Sequence, residues 1–301
     1  YSSMFNMAHP RNKGVARSAD HFPPHWNALG ATNGATIVTA YFKMQSKHSL
    51  HEYKVWMTNM LSVHDSMIVY TTPDMHATVT KLRAHAPTHI VVTALSDLWV
   101  AQNQSSLFWQ QQLLQQDPEK QIHRSYELFW VWLSKSWFVA DAVRINPFNG
   151  TVFVWSDIGS FRSTSYAGKL LIQHPEIVPT SALLMMAHTI PRPPHTVWIV
   201  KSKHRKRGNL YVAGAHMAAT GATWLKFHAA FQTTFMGYIK RGLFVGEDQA
   251  LLQSTCMQHP GLCITATPGM VQGSPWFGLQ YALHHGFNYK LLARDYSRLW
   301  Q

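Results

Sequence analysis

The sequence predicts an α/β fold with a mostly parallel central sheet and helices on both faces. Three observations carry that expectation. Runs of apolar and β-branched residues such as Ala35–Phe42 and Thr151–Trp155 are continuous rather than alternating, which suits strands buried on both faces. Segments with apolar residues at helical spacing separate the runs. The resulting β-α-β-α-β order favours a Rossmann-like parallel sheet with right-handed crossovers.

In chain order, residues 1–34 mix Pro, His, Asn, Arg and Gly without sustained periodicity, and read as an N-terminal arm or stem remnant. The folded domain, 35–301, opens with the strand 35–42, followed by a polar loop, 43–49. Tyr53, Trp56, Met57, Met60 and Leu61 then trace one face of a helix over 50–61. A second strand follows at 66–71. Pro73-Asp74 opens a helix to about His85, and His89–Ala94 forms a third strand with Ser96 and Asp97 at its mouth. The glutamine-rich stretch 107–116 reads as helix before a break at Pro118. Residues 119–143 read as one long helix or two abutting ones, ended by Asn146-Pro147, and 151–155 supplies the fourth strand.

Beyond Arg162 the pattern changes. Pro175, Pro179, Pro191, Pro193 and Pro194 exclude long regular elements. Residues 196–200 and 209–212 resemble two strands around a basic loop, 201–207, while Ala213–His216 reads as a small-residue turn. Ala222–Gly242 is helical in pattern, and Gly246-Glu247-Asp248-Gln249 opens a further helix ending near His259-Pro260.

With 46% hydrophobic and 13% aromatic residues, the chain is a folded globular protein. No run approaches the roughly 18 apolar residues of a membrane span, so membrane attachment would need an anchor upstream of Tyr1. The net charge of +12, from 26 basic and 14 acidic residues, favours polyanionic partners. No zinc-finger spacing or basic heptad helix accompanies it, so nucleic acid is not the expected partner. Cys256 and Cys263 match no metal signature and read first as buried thiols, with one disulfide in a secretory compartment as the alternative. Sequons at Asn103 and Asn149 point weakly the same way.

No dinucleotide fingerprint, Walker P-loop or nucleophile elbow is present, which removes support for dehydrogenases, P-loop enzymes and α/β-hydrolases. What remains is carboxylates at strand mouths, Asp97 and Asp157, and a pair at a helix start, Glu247 and Asp248. Asp157 alone reads first as an ordinary turn residue; Gly159 beside it permits close approach of a bound group. Such a frame suits holding a nucleotide diphosphate and transferring the group attached to it. Lys135, Arg144 and Arg162 are candidates to neutralise the diphosphate, with Lys47 in the loop after the first strand. Lys135 also reads as a helix residue snorkelling its charge outward.

Several blocks resemble the bacterial HtrL/YibB-like family: V-T-A-Y-F (38–42), S-K-H-S (46–49), Y-K-V-W (53–56), N-P-F (146–148), F-V-W-S-D-I-G-S-F-R (153–162) and G-L-F-V-G-E-D-Q (242–249). They cover about 35–265 in the family's order. The resemblance implies a GT-A-like glycosyltransferase of the Leloir type. With the sequons and the disulfide alternative, the expected location is the secretory pathway, most naturally the Golgi lumen, or the cytoplasm if the source is prokaryotic or viral. Residues 35–162 would bind a UDP- or GDP-sugar, and 163–301 would receive a glycan or glycoconjugate acceptor.

Carried over by residue, Asp157 corresponds to the first carboxylate of the GT-A D-x-D motif, with Gly159 in place of the second. A divalent cation, Mn or Mg, would then rest on Asp157, with His285 of L-H-H-G as a further ligand; a surface His pair is the plainer reading of that motif. Glu247-Asp248 resembles the x-E-D motif of inverting enzymes, with Asp248 as base. Thr39 and Tyr41 would meet the nucleotide, and Gly214 and His216 the acceptor. The alternative is a non-catalytic basic module that binds anionic glycans or nucleic acid through 201–207.

Overall fold

The sheet grows outward from two strands that have no exposed face. In Ala35–Tyr41 (β1) every residue but the last is buried, and in Val152–Ser156 (β4) all five are. The computed structural model describes residues 33–45, 48–188, 212–267, 271 and 274–287. Their seven strands form one sheet in the order β3-β2-β1-β4-β6-β5-β7. The others are Met67–Thr71 (β2), Thr88–Val92 (β3), Leu183–Ala187 (β5), Val212–Thr220 (β6) and Cys263–Ala266 (β7). β1 runs parallel to both β2 and β4, and β2 to β3; β6 alone runs against its neighbours β4 and β5, while β5 and β7 are again parallel. The expected mostly parallel sheet is therefore present, with one reversed strand.

Helices cover both faces. Alternation along β1 and β4 sends Val38, Phe153 and Trp155 to one side, where they pack with Phe138, Trp224, Phe227 and Leu251. These come from Lys135–Ile145 (α6), Gly221–Lys240 (α7) and Asp248–Gln258 (α8), which follow Leu50–Leu61 (α1), Pro73–Arg83 (α2), Trp99–Asn103 (α3), Ser106–Gln111 (α4) and Glu127–Leu133 (α5). Ile37 and Val154 face the other way, onto Met57 and Met60 of α1 and Leu279 and Leu283 of Gly278–His285 (α9). Each large side chain so buried is worth about 1.5–3 kcal/mol, which is why uninterrupted apolar runs specify these central strands. α1 starts at Ser49, whose side chain caps Glu52 N–H while the Glu52 carboxylate accepts from Ser49 N–H.

The differences from expectation are local. The long helix over 119–143 is two helices that break at Ser134, whose N–H is shared by the carbonyls of Trp130 and Val131. α5 begins only at Glu127, so 119–126 is a turn. The glutamine-rich helix closes in one π turn, Gln112–Gln116. β5 and β7 were not anticipated, since Leu-Leu-Met-Met-Ala lacks the β-branched signature and pairing decides its state. Ala213–His216 lies inside β6, not in a turn, for the same reason. Cys256 and Cys263 are joined as a disulfide that ties α8 to β7, which corrects the reading of two buried thiols. The arm 1–32, the basic loop 201–207 with its flanking segments 196–200 and 209–211, and Lys47 fall outside the described residues.

Candidate functional site

The chain moves outward from β1 through β2 to β3, then returns to place β4 on the opposite side of β1. Open α/β sheets bind ligands where the strand order reverses in this way, beyond the carboxyl ends of the strands. A cavity of about 500 Å³ occupies that position, lined by Ala40–Phe42 from the end of β1 and by Trp155, Asp157, Ile158 and Gly159 from the end of β4.

Lys135 organises its floor. As the first residue of α6 it is buried, and its Nζ lies 3.0 Å from Asp157 Oδ1 and 2.7 Å from Asp248 Oδ2. It also donates to Asp157 Oδ2 at 3.1 Å and to the Gly214 carbonyl at 3.0 Å. Burial acts to lower the Lys135 pKa, but Asp157 and Asp248 together outweigh it and hold the ammonium above the ordinary lysine value. For Asp157 burial is the larger influence and holds its carboxyl above the ordinary value, with Lys135 opposing. Trp155 Nε1 donates to Asp157 Oδ1 at 2.8 Å, and Gln249 N–H donates to Asp248 Oδ1 at 2.9 Å, so each carboxylate is anchored at a second point.

The backbone of β6 makes room for this cluster. Met185 pairs with Met217 while Met186 pairs with Ala213, so 214–216 bulge from the ladder at the cavity. The Ala215 carbonyl accepts from Asp157 N–H at 2.8 Å. A Cβ on Gly214 would stand 2.6 Å from Asp248 Oδ2, so glycine is what lets α8 bring its carboxylate to Lys135. Glu247, buried beside it at the start of α8, also lines the cavity.

At the mouth, Arg162 Nε donates to the Gly159 carbonyl at 2.6 Å, and the guanidinium stacks 3.5 Å above the Trp56 ring, with Phe277 at 5.6 Å. Tyr41 lines the same wall and stands 6.3 Å from Tyr53, ring to ring. Among the residues expected from sequence, Tyr41, Lys135, Asp157, Gly159, Arg162, Gly214, Glu247 and Asp248 thus meet in one cavity.

The others do not join them. Thr39 points to the α1 face of β1, where its hydroxyl lies 3.7 Å from Met60 Sδ. Asp97 follows the edge strand β3, away from the switch point, and caps its own turn by accepting from Ala94 N–H at 3.4 Å. Arg144 is exposed in the last turn of α6. His216 is buried behind the bulge, with Nδ1 3.0 Å from Ser156 Oγ and its ring edge-on to Phe161 and Phe277; burial first, and Lys135 second, push its pKa down to about 3.

A divalent cation would need several oxygen ligands. Asp157 gives both oxygens to Lys135, Gly159 adds none, and His285 stacks on Tyr281 at 4.4 Å without lining the cavity. Among the described residues no group of three or more His, Cys, Asp or Glu side chains is placed to hold a metal. The donor set present does not fit a cation held at Asp157 and His285.

The cavity also contains a pair that sequence reasoning missed. His123 Nδ1 lies 2.6 Å from Asp117 Oδ2, both side chains are buried, and both line the cavity with Glu119. They lie in the turn before α5, where a histidine six residues after an aspartate carries no recognisable pattern.

These features define an α/β protein whose sheet opens, at its switch point, into a cavity with acids gathered around one buried lysine. The chain belongs to the HtrL_YibB family, described as a bacterial protein of unknown function, whose model matches residues 33–280. No curated protein shows a significant match.

Proposed function

We propose that the protein is a GT-A-type glycosyltransferase that moves a sugar from a nucleotide-sugar donor, UDP- or GDP-linked, to a hydroxyl of a glycan or glycoconjugate. The observation that carries this reading is the seat of the cavity at the carboxyl ends of β1 and β4, where nucleotides bind in open α/β sheets. Aromatic walls, including Tyr53, Trp132, Trp276 and Phe277, offer flat apolar faces to a base and to sugar rings. Arg162, pre-set by its stack on Trp56, supplies a planar fork of donors suited to phosphate oxygens.

In this reading the bond from the anomeric carbon to the diphosphate breaks with its electron pair leaving on phosphate oxygen, and Arg162 offsets that charge. Lys135 fixes Asp157 and Asp248 as a rigid floor. Asp248, the base expected from sequence, has one oxygen on Lys135 and the other on Gln249 N–H, so it serves here to position the floor. The Cys256–Cys263 bridge supports folding in an oxidising compartment, the secretory lumen included.

The test is ligand-induced stabilisation followed by turnover. One class of nucleoside diphosphate should raise the melting temperature, because binding to the native state stabilises it. The matching nucleotide sugar should be slowly hydrolysed, and Arg162→Ala should weaken nucleotide binding by about tenfold or more. No melting shift with UDP, GDP or CMP species, with or without manganese, and no donor turnover would sink the reading.

A further inference from the structure

We propose that Asp117 and His123 form a proton-transfer site in this cavity, with Asp117 holding the imidazole and Nε2 accepting a proton from bound substrate. The identity of that substrate, an acceptor hydroxyl, rests on the transferase reading; the site itself rests on geometry.

A carboxylate and an imidazole taken out of water each cost several kcal/mol unless they are paired. An apolar pair would stabilise the same wall without that cost, so a buried pair facing a cavity calls for a use. His123 is 7% exposed and Asp117 4%. An ionised carboxylate only accepts hydrogen bonds, so across the 2.6 Å contact His123 Nδ1 is the donor, and in the neutral ring the lone pair is then on Nε2.

Asp117 is itself held. Its Oδ1 accepts from Glu119 N–H at 2.8 Å, and its own N–H donates to the Gln112 carbonyl at 2.9 Å, the closing bond of the π turn. Phe129 and Trp132 meet the imidazole edge-on, at ring separations of 5.8 and 5.2 Å. Base, orienting acid and a fixed ring are the parts a positioned proton acceptor needs.

The remaining nitrogen completes the case. His123 Nε2 is buried and makes no hydrogen bond among the described residues; the nearest acid oxygen, Glu119 Oε2, is 3.5 Å away. A buried polar atom that makes no hydrogen bond is costly, and a substrate hydroxyl would supply the missing donor. As the acceptor oxygen bonds to the anomeric carbon and the diphosphate departs, the acceptor proton passes to Nε2. The imidazolium then lies between Asp117 and Glu119 until it loses the proton to water. His123 is the catalytic residue and Asp117 the positioning one.

Two measurements on the full chain decide it. Long-range proton–nitrogen NMR should find His123 protonated on Nδ1 and bare on Nε2 at neutral pH, with Asp117→Asn disturbing that state; a neutral ring protonated on Nε2 overturns the proposal whether or not the protein is a transferase. In transfer assays, His123→Gln should lower kcat by about 10²–10⁴-fold. Its melting temperature and nucleotide-induced shift should stay near wild type. Added imidazole should restore part of the activity of His123→Ala, and Asp117→Asn should lower kcat with little change in donor KM. Transfer by His123→Gln within about threefold of wild type, or a loss in His123→Ala that imidazole leaves untouched, overturns the assignment. A wild-type chain that binds and turns over no nucleotide sugar fails the transferase reading instead, and the NMR result then decides the site alone.

Discussion

Two charge clusters share one cavity, and they are built in opposite ways. Lys135, Asp157 and Asp248 come from the starts of two helices and the end of a strand, and every charged atom meets another or a backbone group. Asp117 and His123 come from a turn between helices and leave one ring nitrogen without a hydrogen bond. The first arrangement is closed and suits holding a shape. The second is open and suits exchanging a proton. Lys135, Asp248, Asp117 and His123 are all buried, and Asp157, in the closed cluster, is a third exposed, so greater depth is not what closes a cluster; connectivity separates the structural one from the reactive one.

The largest effect expected from breaking this contrast is on stability. Lys135→Met should cost about 3–5 kcal/mol in urea unfolding, because it strands the buried Asp248 carboxylate and takes the counter-charge from the partly buried Asp157. A cost below about 1 kcal/mol would mean that Lys135 is not what holds the floor together. A second test uses His216, the neutral buried group behind the same bulge. Its pKa is pushed down to about 3, whereas an unfolded histidine titrates near 6.5. Between those values the unfolded chain binds more protons, so the His216 contribution is fully present above pH 6.5 and is lost as pH falls towards 3. The loss is at most on the order of 5 kcal/mol, and a His216→Asn variant should show a shallower acid slope in urea titrations.

The smallest effect should come from Gly159→Asp, which restores a D-x-D spacing. A Cβ there meets Tyr53 Cε1 at 3.1 Å and Trp56 Cε3 at 3.4 Å, so the aromatic wall must give. A cost of about 1–3 kcal/mol and no gain of manganese binding by calorimetry are expected. A variant as stable as wild type that binds manganese would show that the wall is softer than its packing implies.

The closed cluster was legible in the sequence because regular elements announce where they end. Asp157 closes an apolar run, and Glu247-Asp248 opens a helical one, so both could be assigned to element ends before their partners were known. Their convergence on Lys135 was not legible, because a lysine within a helical stretch looks the same whether its side chain turns in or out. Thr39 was misplaced for want of one bit, the face of β1 on which its side chain falls. Asp97 was misplaced because parallel strands look alike in sequence whether central or at an edge. The open cluster left no trace: its residues lie in a turn without period, and only folding brings His123 to Asp117. The bulge in β6 hid in the same way, since Ala-Gly-Ala-His has turn composition and becomes strand through its neighbours.

At the outer edge of the sheet, β7 has only four residues and a single neighbouring strand. A strand that short has little to fix its register, and a slip of one residue would turn each of its side chains to the wrong face. The bond from Cys263 to Cys256 forbids that slip, because Cys256 rides on a helix whose other end is clamped through Asp248 to Lys135. The register of the outermost strand is thereby indexed, across about 12 Å of helix, to the charges at the centre of the sheet.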